Sequence, residues 1–168
     1  MNIREKICAW LFEKSERPYR FLFKQGKKAW NLSSADLARY PKETLGYATS
    51  QFLIKNNFEL LDKLESHDVM HVLLEMKTTV KEEIGMQFLL LGNGKKSAYM
   101  YATIMLGYIL QLEHYKYFSY CYRRGKTLHP VHKIDFFEAL KMNTVQLRNS
   151  LKKTQNFSKS KILDPITF

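Results

Sequence analysis

Cysteine, proline and glycine are all scarce in this chain, and each scarcity excludes something. The two cysteines, Cys8 and Cys121, lie far apart and form no pattern, so no disulfide framework is expected and a reducing compartment is. Four prolines and seven glycines among 168 residues are too few for a many-turned β fold and favour long helices. Acidic residues are also in deficit, at 16 Asp and Glu against 27 Lys and Arg, a formal charge of +11. That surplus points towards an anionic partner: a membrane face, nucleic acid or an acidic protein. Long apolar runs are missing. The longest uncharged run, Ser97 to Leu112 (SAYMYATIMLGYILQL), contains three tyrosines and falls short of the ~20 apolar residues that a spanning helix needs. It reads as a buried helix. Charges at Arg4, Glu5, Lys6, Glu13 and Lys14 leave no room for a secretory signal. The expectation is therefore a cytoplasmic protein, not secreted and without a transmembrane helix, that associates peripherally with membranes.

Aromatic residues, by contrast, are abundant at 14%, which suggests a core or cavity built from large flat side chains. The length suits one domain. Apolar periodicity predicts an all-α fold: a single compact multi-helix domain with long central helices. Ile3, Ile7, Trp10 and Leu11 have helical spacing and predict an amphipathic first helix, broken at Arg17-Pro18-Tyr19. Asn31 to Ser34 offers caps for a short helix, and Pro41 ends it and opens a second. Asn56-Asn57 marks a stop, and a helix is predicted from about Phe58 to Met76. Thr79-Val80-Lys81-Glu82 fits a capping box, with Glu82 reaching back to the Thr79 amide, for a helix ending at Gly92-Asn93-Gly94. A long helix is then expected from about Ser97 to Tyr122, and a last one, capped near Asp135, to about Lys152. Residues 1–39 form a basic N-terminal region and residues 152–168 a polar tail.

The most informative stretch is His67-Asp68-Val69-Met70-His71. Residues four apart share a helix face, so both imidazoles can reach one metal ion. Asp68 lies about 100° around from His67 and can either ligate or orient an imidazole. Glu83 lies twelve residues beyond His71. In one straight helix that is ~18 Å, at ~1.5 Å per residue, beyond any carboxylate's reach. Glu83 joins the site only if the chain turns back, and the helix start at Thr79 falls in that gap. Histidines with carboxylates and no thiolate suit zinc, iron or manganese. Histidine pairs four apart also arise by chance on many helices, where they bind nothing.

The run His67-Asp68-x-x-His71, eleven residues, then Glu83, resembles the signature of the coenzyme Q biosynthesis protein 4 family. Tyr40-Pro41-Lys42-Glu43-Thr44-Leu45-Gly46-Tyr47, followed by Gln51-Phe52-Leu53, is similar to that family's opening segment. Arg124-Gly125, then Phe136, Phe137, Glu138 and finally Leu147-Arg148 and Leu151, resemble its ending. The likeness spans residues 40–151 and identifies a distant, bacterial-type member, since Glu82 replaces the glycine that usually precedes the glutamate, and Glu75-Met76-Lys77 replaces a Gly-x-Pro turn. The resemblance implies an all-helical protein of ubiquinone biosynthesis holding a divalent metal, most often zinc. It implies membrane association, contact with other quinone-biosynthesis proteins, binding of the prenyl tail of quinone precursors, and decarboxylation with oxygenation at ring carbon C1.

Tyr101, Met105, Tyr108, Leu112 and Tyr115, three and four apart, suit the wall of an apolar groove for an isoprenoid lipid, or equally an ordinary core helix. Arg17, Arg20, Lys24, Lys27 and Lys28 interleave with Tyr19, Phe21, Phe23 and Trp30, as on an anionic bilayer surface or a solvated basic face. Arg123, Arg124 and Lys126 form a second basic patch or cap the long helix. Two functions from different classes follow: a metal-dependent decarboxylase or oxygenase, which needs an open coordination position, and a non-catalytic prenyl-lipid-binding scaffold at the membrane surface. Nucleic acid is the weakest partner class, as no zinc-finger or RNA-binding motif accompanies the charge.

Overall fold

The computed structural model describes residues 28–153 together with Ile3, Arg4, Lys6, Ile7, Trp10 and Lys14. Among these residues the protein is all α, with no strand. The expected break at Arg17-Pro18-Tyr19, the interleaved residues Arg17 to Lys27, Cys8 and the tail beyond Lys153 lie outside the described residues. No helix among the described residues is long and apolar enough to cross a membrane.

Capping chemistry sets most of the helix starts. Helix α1 (Ser34–Leu37) begins at Ser33, whose hydroxyl accepts from the Asp36 amide while the Asp36 carboxylate accepts from the Ser33 amide. Helix α2 (Leu45–Asn56) is capped by Thr44 and starts three residues later than Pro41 alone suggests, because the Thr44 side chain supplies the cap. It ends at Asn57 in the left-handed conformation (φ 54°), a geometry asparagine tolerates. Helix α3 (Glu65–Leu74) carries the histidines and is shorter than the predicted Phe58–Met76. It closes on Glu75, also left-handed (φ 54°), with the Met76 amide donating to the His71 carbonyl at 2.9 Å.

Helix α4 (Val80–Gly92) starts at Thr79 as expected, with the Glu82 amide donating to the Thr79 hydroxyl. The second half of the predicted capping box does not form. Glu82 Oε2 instead accepts from the Tyr117 hydroxyl at 2.7 Å, a partner 35 residues away. Burial first, and then this carboxylate, push the Tyr117 phenol well above its ordinary pKa.

The predicted long helix Ser97–Tyr122 is two helices: α5 (Ala98–Leu110) and α6 (Tyr115–Lys126), joined through a 3₁₀ turn, Leu112–His114. Gln111 leaves the helical region (φ −130°, ψ 39°) and is fully buried. The break has a tertiary cause. Gly107, near the end of α5, lies against Ile84 near the start of α4, and Gly85, Gly92 and Asn93 of α4 face Tyr117, Tyr122 and Gly125 of α6. Thus α5 runs antiparallel to α4, and α6 runs parallel to it. A straight helix of 26 residues would be ~39 Å long against ~20 Å for α4, and its second half would leave α4 behind.

The α4–α6 contact is a backbone-to-backbone approach. A Cβ at Gly92 would collide with the Tyr122 carbonyl, and one at Gly125 with the Leu89 carbonyl. Asn93 locks the end of this pair. Buried, it donates through Nδ2 towards the carbonyls of Gly125, Leu128 and His129 and accepts at Oδ1 from the Val131 amide at 2.7 Å. The last predicted helix is also split, into α7 (Phe136–Ala139), capped by Asp135 as expected, and α8 (Thr144–Leu151), capped by Asn143.

The core runs through Leu37, Leu45, Leu53, Val69, Leu73, Met86, Leu89, Met100 and Leu140. The uncharged run from Ser97, expected to be buried, is not. Helix α5 buries only Met100, Thr103 and Gly107, and its other side, with Tyr101, Met105, Tyr108 and Ile109, faces solvent. The N-terminal residues Ile3, Ile7 and Trp10 are helical but likewise exposed.

Candidate metal centre

The turn between α3 and α4 does what the twelve-residue gap requires. Helix α3 packs chiefly on α2, and α4 on α6 and α5, so α3 and α4 are not broadly paired. They meet through the side chains of His67, His71 and Glu83. His71 Nε2 lies 2.9 Å from Glu83 Oε1, His67 Nε2 lies 3.2 Å from Glu83 Oε2, and the two Nε2 atoms are 3.2 Å apart. One ligand atom from each of the three falls within 4.8 Å of the others. A tetrahedral zinc ion with bonds of ~2.0–2.1 Å holds its ligand atoms about 3.3–3.4 Å apart. The 3.2 Å between the two Nε2 atoms is close to that spacing, and each Glu83 oxygen lies within 3.2 Å of one imidazole.

The proton positions argue further. His71 is buried and its Nδ1 sits 3.2 Å from the Met76 carbonyl, which can only accept. Nδ1 therefore carries a hydrogen, and in the neutral ring Nε2 is a bare lone pair. That lone pair faces a carboxylate oxygen and a second imidazole nitrogen. Acceptor against acceptor is unfavourable unless something positive lies between them, either a proton or a metal ion. Burial opposes charging His71, yet the Glu83 carboxylate outweighs it and raises the imidazole's pKa. Burial likewise pushes Glu83 upward, but hydrogen bonds from His67 and His71 dominate and bring it down to about 2.

Sequence elements distant from the motif fix this geometry. Phe52 of α2 stacks on the His71 ring, with centroids 5.7 Å apart and planes 15° apart. The C-terminal carbonyls of α3 are held by two arginines. Arg124 donates to the Leu74 carbonyl at 2.7 Å, and Arg148 to those of Val72 and Leu73 at 2.6 and 3.3 Å. Arg148 also pairs with Glu75 at 3.1 Å. Arg124 thus caps the neighbouring helix α3 rather than its own helix. Glu65, in the first turn of α3, is buried and accepts from the Trp30 amide at 2.9 Å.

The triad opens into a cavity of about 460 Å³ lined by Asn57, Phe58, Glu59, Leu61, His67, Asp68, His71, Thr78 and Glu83. Asp68 faces this cavity but stands outside the cluster of three ligand atoms. Burial lifts its carboxyl to about 6, against the lowering effect of His67 and His71. Tyr101, Met105, Tyr108 and Leu112, expected to line a lipid groove, are exposed on α5 and the 3₁₀ turn after it and do not line this cavity. Sequence spacing found the three clustered side chains. It missed Phe52, the Met76 carbonyl and Arg148, which lie beyond the reach of a local motif.

The fold and the site define an all-helical protein with a part-buried cluster of two histidines and one carboxylate beside a polar and aromatic cavity. The sequence profile of the coenzyme Q (ubiquinone) biosynthesis protein Coq4 family matches residues 60–156, and the chain belongs to that family. In fold it is similar to the crystal structure of a protein from Nostoc punctiforme PCC 73102 named for ubiquinone biosynthesis. The TM-score is 0.61 and the identity 18%, covering 90% of this chain and 82% of that one. No curated protein matches the chain.

Proposed function

We propose that His67, His71 and Glu83 hold one divalent metal ion, zinc first and iron or manganese next. The single observation carrying this reading is the convergence of His67 Nε2, His71 Nε2 and the Glu83 carboxylate, with His71 Nδ1 occupied by the Met76 carbonyl. Three protein ligands leave a coordination position towards the cavity, where Asp68 stands. The bound ion supplies Lewis acidity for an oxygen of an aromatic carboxylic acid. The chain's own residues do the rest. Phe58 and Leu61 give the cavity an apolar wall for the ring, and Asp68, with its carboxyl lifted to about 6, can take up or release a proton near neutrality. Together with the family, this supports an enzyme of ubiquinone biosynthesis that removes the carboxyl group from ring carbon C1 of a prenylated 4-hydroxy acid with dioxygen as the oxidant, the carboxyl leaving as carbon dioxide, one oxygen atom bonding to C1 to give the quinone and the other leaving as water. Other proteins of that pathway are its natural partners, and the +11 charge supports a peripheral position on an anionic membrane.

The test supplies the metal-loaded protein with a carboxyl-labelled prenylated aromatic acid in air. Release of labelled carbon dioxide that disappears in Asp68→Asn supports the reading. The alternative is a non-catalytic scaffold that holds a prenyl lipid for partner enzymes. X-ray absorption separates the two. A shell of three protein ligands plus water supports the enzyme, and a closed shell that includes Asp68, with no carbon dioxide released, supports the scaffold.

A further inference from the structure

We infer that α5 is a membrane-docking helix, whose open side seats in the interface of an anionic lipid bilayer. This rests on the membrane association proposed above and names the element that makes the contact. It does not depend on the metal.

The observation is an exposed apolar surface where solubility alone would not leave one. Met105 is 66% exposed, Ile109 60%, Leu112 49%, Tyr101 46% and Tyr108 42%. On a helical wheel Tyr101, Met105, Tyr108 and Ile109 share one side of α5, opposite the buried Met100, Thr103 and Gly107, and Leu112 follows on the 3₁₀ turn. Contiguous apolar surface of this kind marks an interaction site. Tyr101 and Tyr108 on this side carry one polar end each, as aromatic residues at a bilayer interface do. The patch continues onto the N-terminal residues. Arg4 pairs with Glu113 at 3.9 Å, which brings exposed Ile3 and Ile7 beside the end of α5.

Charge selects the occupant. Lys95 and Lys96 precede α5 and Lys116 and Arg123 follow it in sequence, against a single acid, Glu113, which Arg4 offsets. A second copy would bring the same charge against itself, in a chain of net +11. An anionic bilayer complements both the apolar centre and the basic margins. A helix of 13 residues with no long apolar span lies in the interface rather than crossing it.

The test is co-sedimentation of the full chain with phosphatidylcholine vesicles containing 30% phosphatidylglycerol. Three proteins are compared: the parent, Met105→Glu/Ile109→Glu, and Ile54→Glu/Val145→Glu. The last makes the same charge change on exposed apolar residues of other helices. Thermal melts confirm that each is folded. The expected result is binding at least about tenfold weaker in the α5 variant, with the control variant much closer to the parent. Equal binding by all three proteins overturns the inference while leaving membrane association intact. A parent that ignores the vesicles overturns both. A parent dimer that the α5 variant splits without losing vesicle binding also overturns it, by making α5 a self-interface.

Discussion

Asn93 gives the sharpest test of how α4 is held. Replacing it with Ala removes the buried acceptor of the Val131 amide and the donor shared by the Gly125, Leu128 and His129 carbonyls. A buried amide left without a partner costs roughly 1–3 kcal/mol, and each lost hydrogen bond contributes about 1 kcal/mol more. Since two Nδ2 hydrogens can satisfy only two of the three carbonyls well, the sum is about 3–5 kcal/mol. For a chain of this size that lowers Tm by roughly 6–20 °C. Asn93→Asp discriminates further. It keeps the acceptor for Val131 but sets a carboxylate oxygen against three carbonyls, so it should be at least as damaging as Ala. Thermal unfolding followed by circular dichroism, with urea titration alongside, measures both. Asn56→Ala is the control, because the Asn56 side chain donates within its own helix, to the Phe52 carbonyl. A loss below about 0.5 kcal/mol in Asn93→Ala, or an Asp variant as stable as the parent, refutes the reasoning.

Other consequences follow from the same contacts. Gly125→Ala forces the new methyl into the Leu89 carbonyl, so the gain in helix propensity is outweighed and the protein should lose about 1–3 kcal/mol, read from its urea midpoint; a more stable variant contradicts the close α4–α6 approach. Arg148→Ala frees the Val72 and Leu73 carbonyls and the Glu75 carboxylate, and should weaken metal affinity several-fold by loosening the turn behind His71, whereas unchanged affinity shows that the turn holds without it. In the metal-free protein, the lowered Glu83 contributes stability that is present above its ordinary 4.5 and lost as pH falls towards about 2. The raised His71 contributes stability that is present below its ordinary 6.5 and lost as pH rises through its folded value. Chelated protein should therefore show a contribution that peaks between these limits. Glu83→Gln should flatten it, and an unchanged pH profile in that variant would count against the pairing.

What was legible in the sequence was local chemistry. Ser33, Thr79, Ser97 and Asp135 announce helix starts because a side-chain oxygen next to a free amide acts within three residues. The His67–His71 spacing and the stop before Thr79 together foretold that Glu83 would come back to the histidines. The misses are tertiary. Gln111 carries no breaking signal, and the chain bends there because α5 and α6 both pack on the short α4. The same apolar composition suits a core helix and an exposed docking helix, so periodicity alone placed α5 on the wrong side of the surface. Glu82 looked like half of a capping box until Tyr117, distant in sequence, supplied a partner. Arg124 read as part of a basic patch or a cap of its own helix until α3 presented its last carbonyls to it, and nothing local tied Arg148 to those carbonyls.

The central claim is that His67, His71 and Glu83 are metal ligands. The measurement that tests it most directly is elemental analysis of the purified protein beside His67→Ala/His71→Ala, before and after reconstitution with zinc, iron and manganese. About one equivalent of one metal is expected in the parent and none in the variant, with both proteins folded. A parent that stays metal-free after reconstitution, or a variant that keeps its metal, contradicts it.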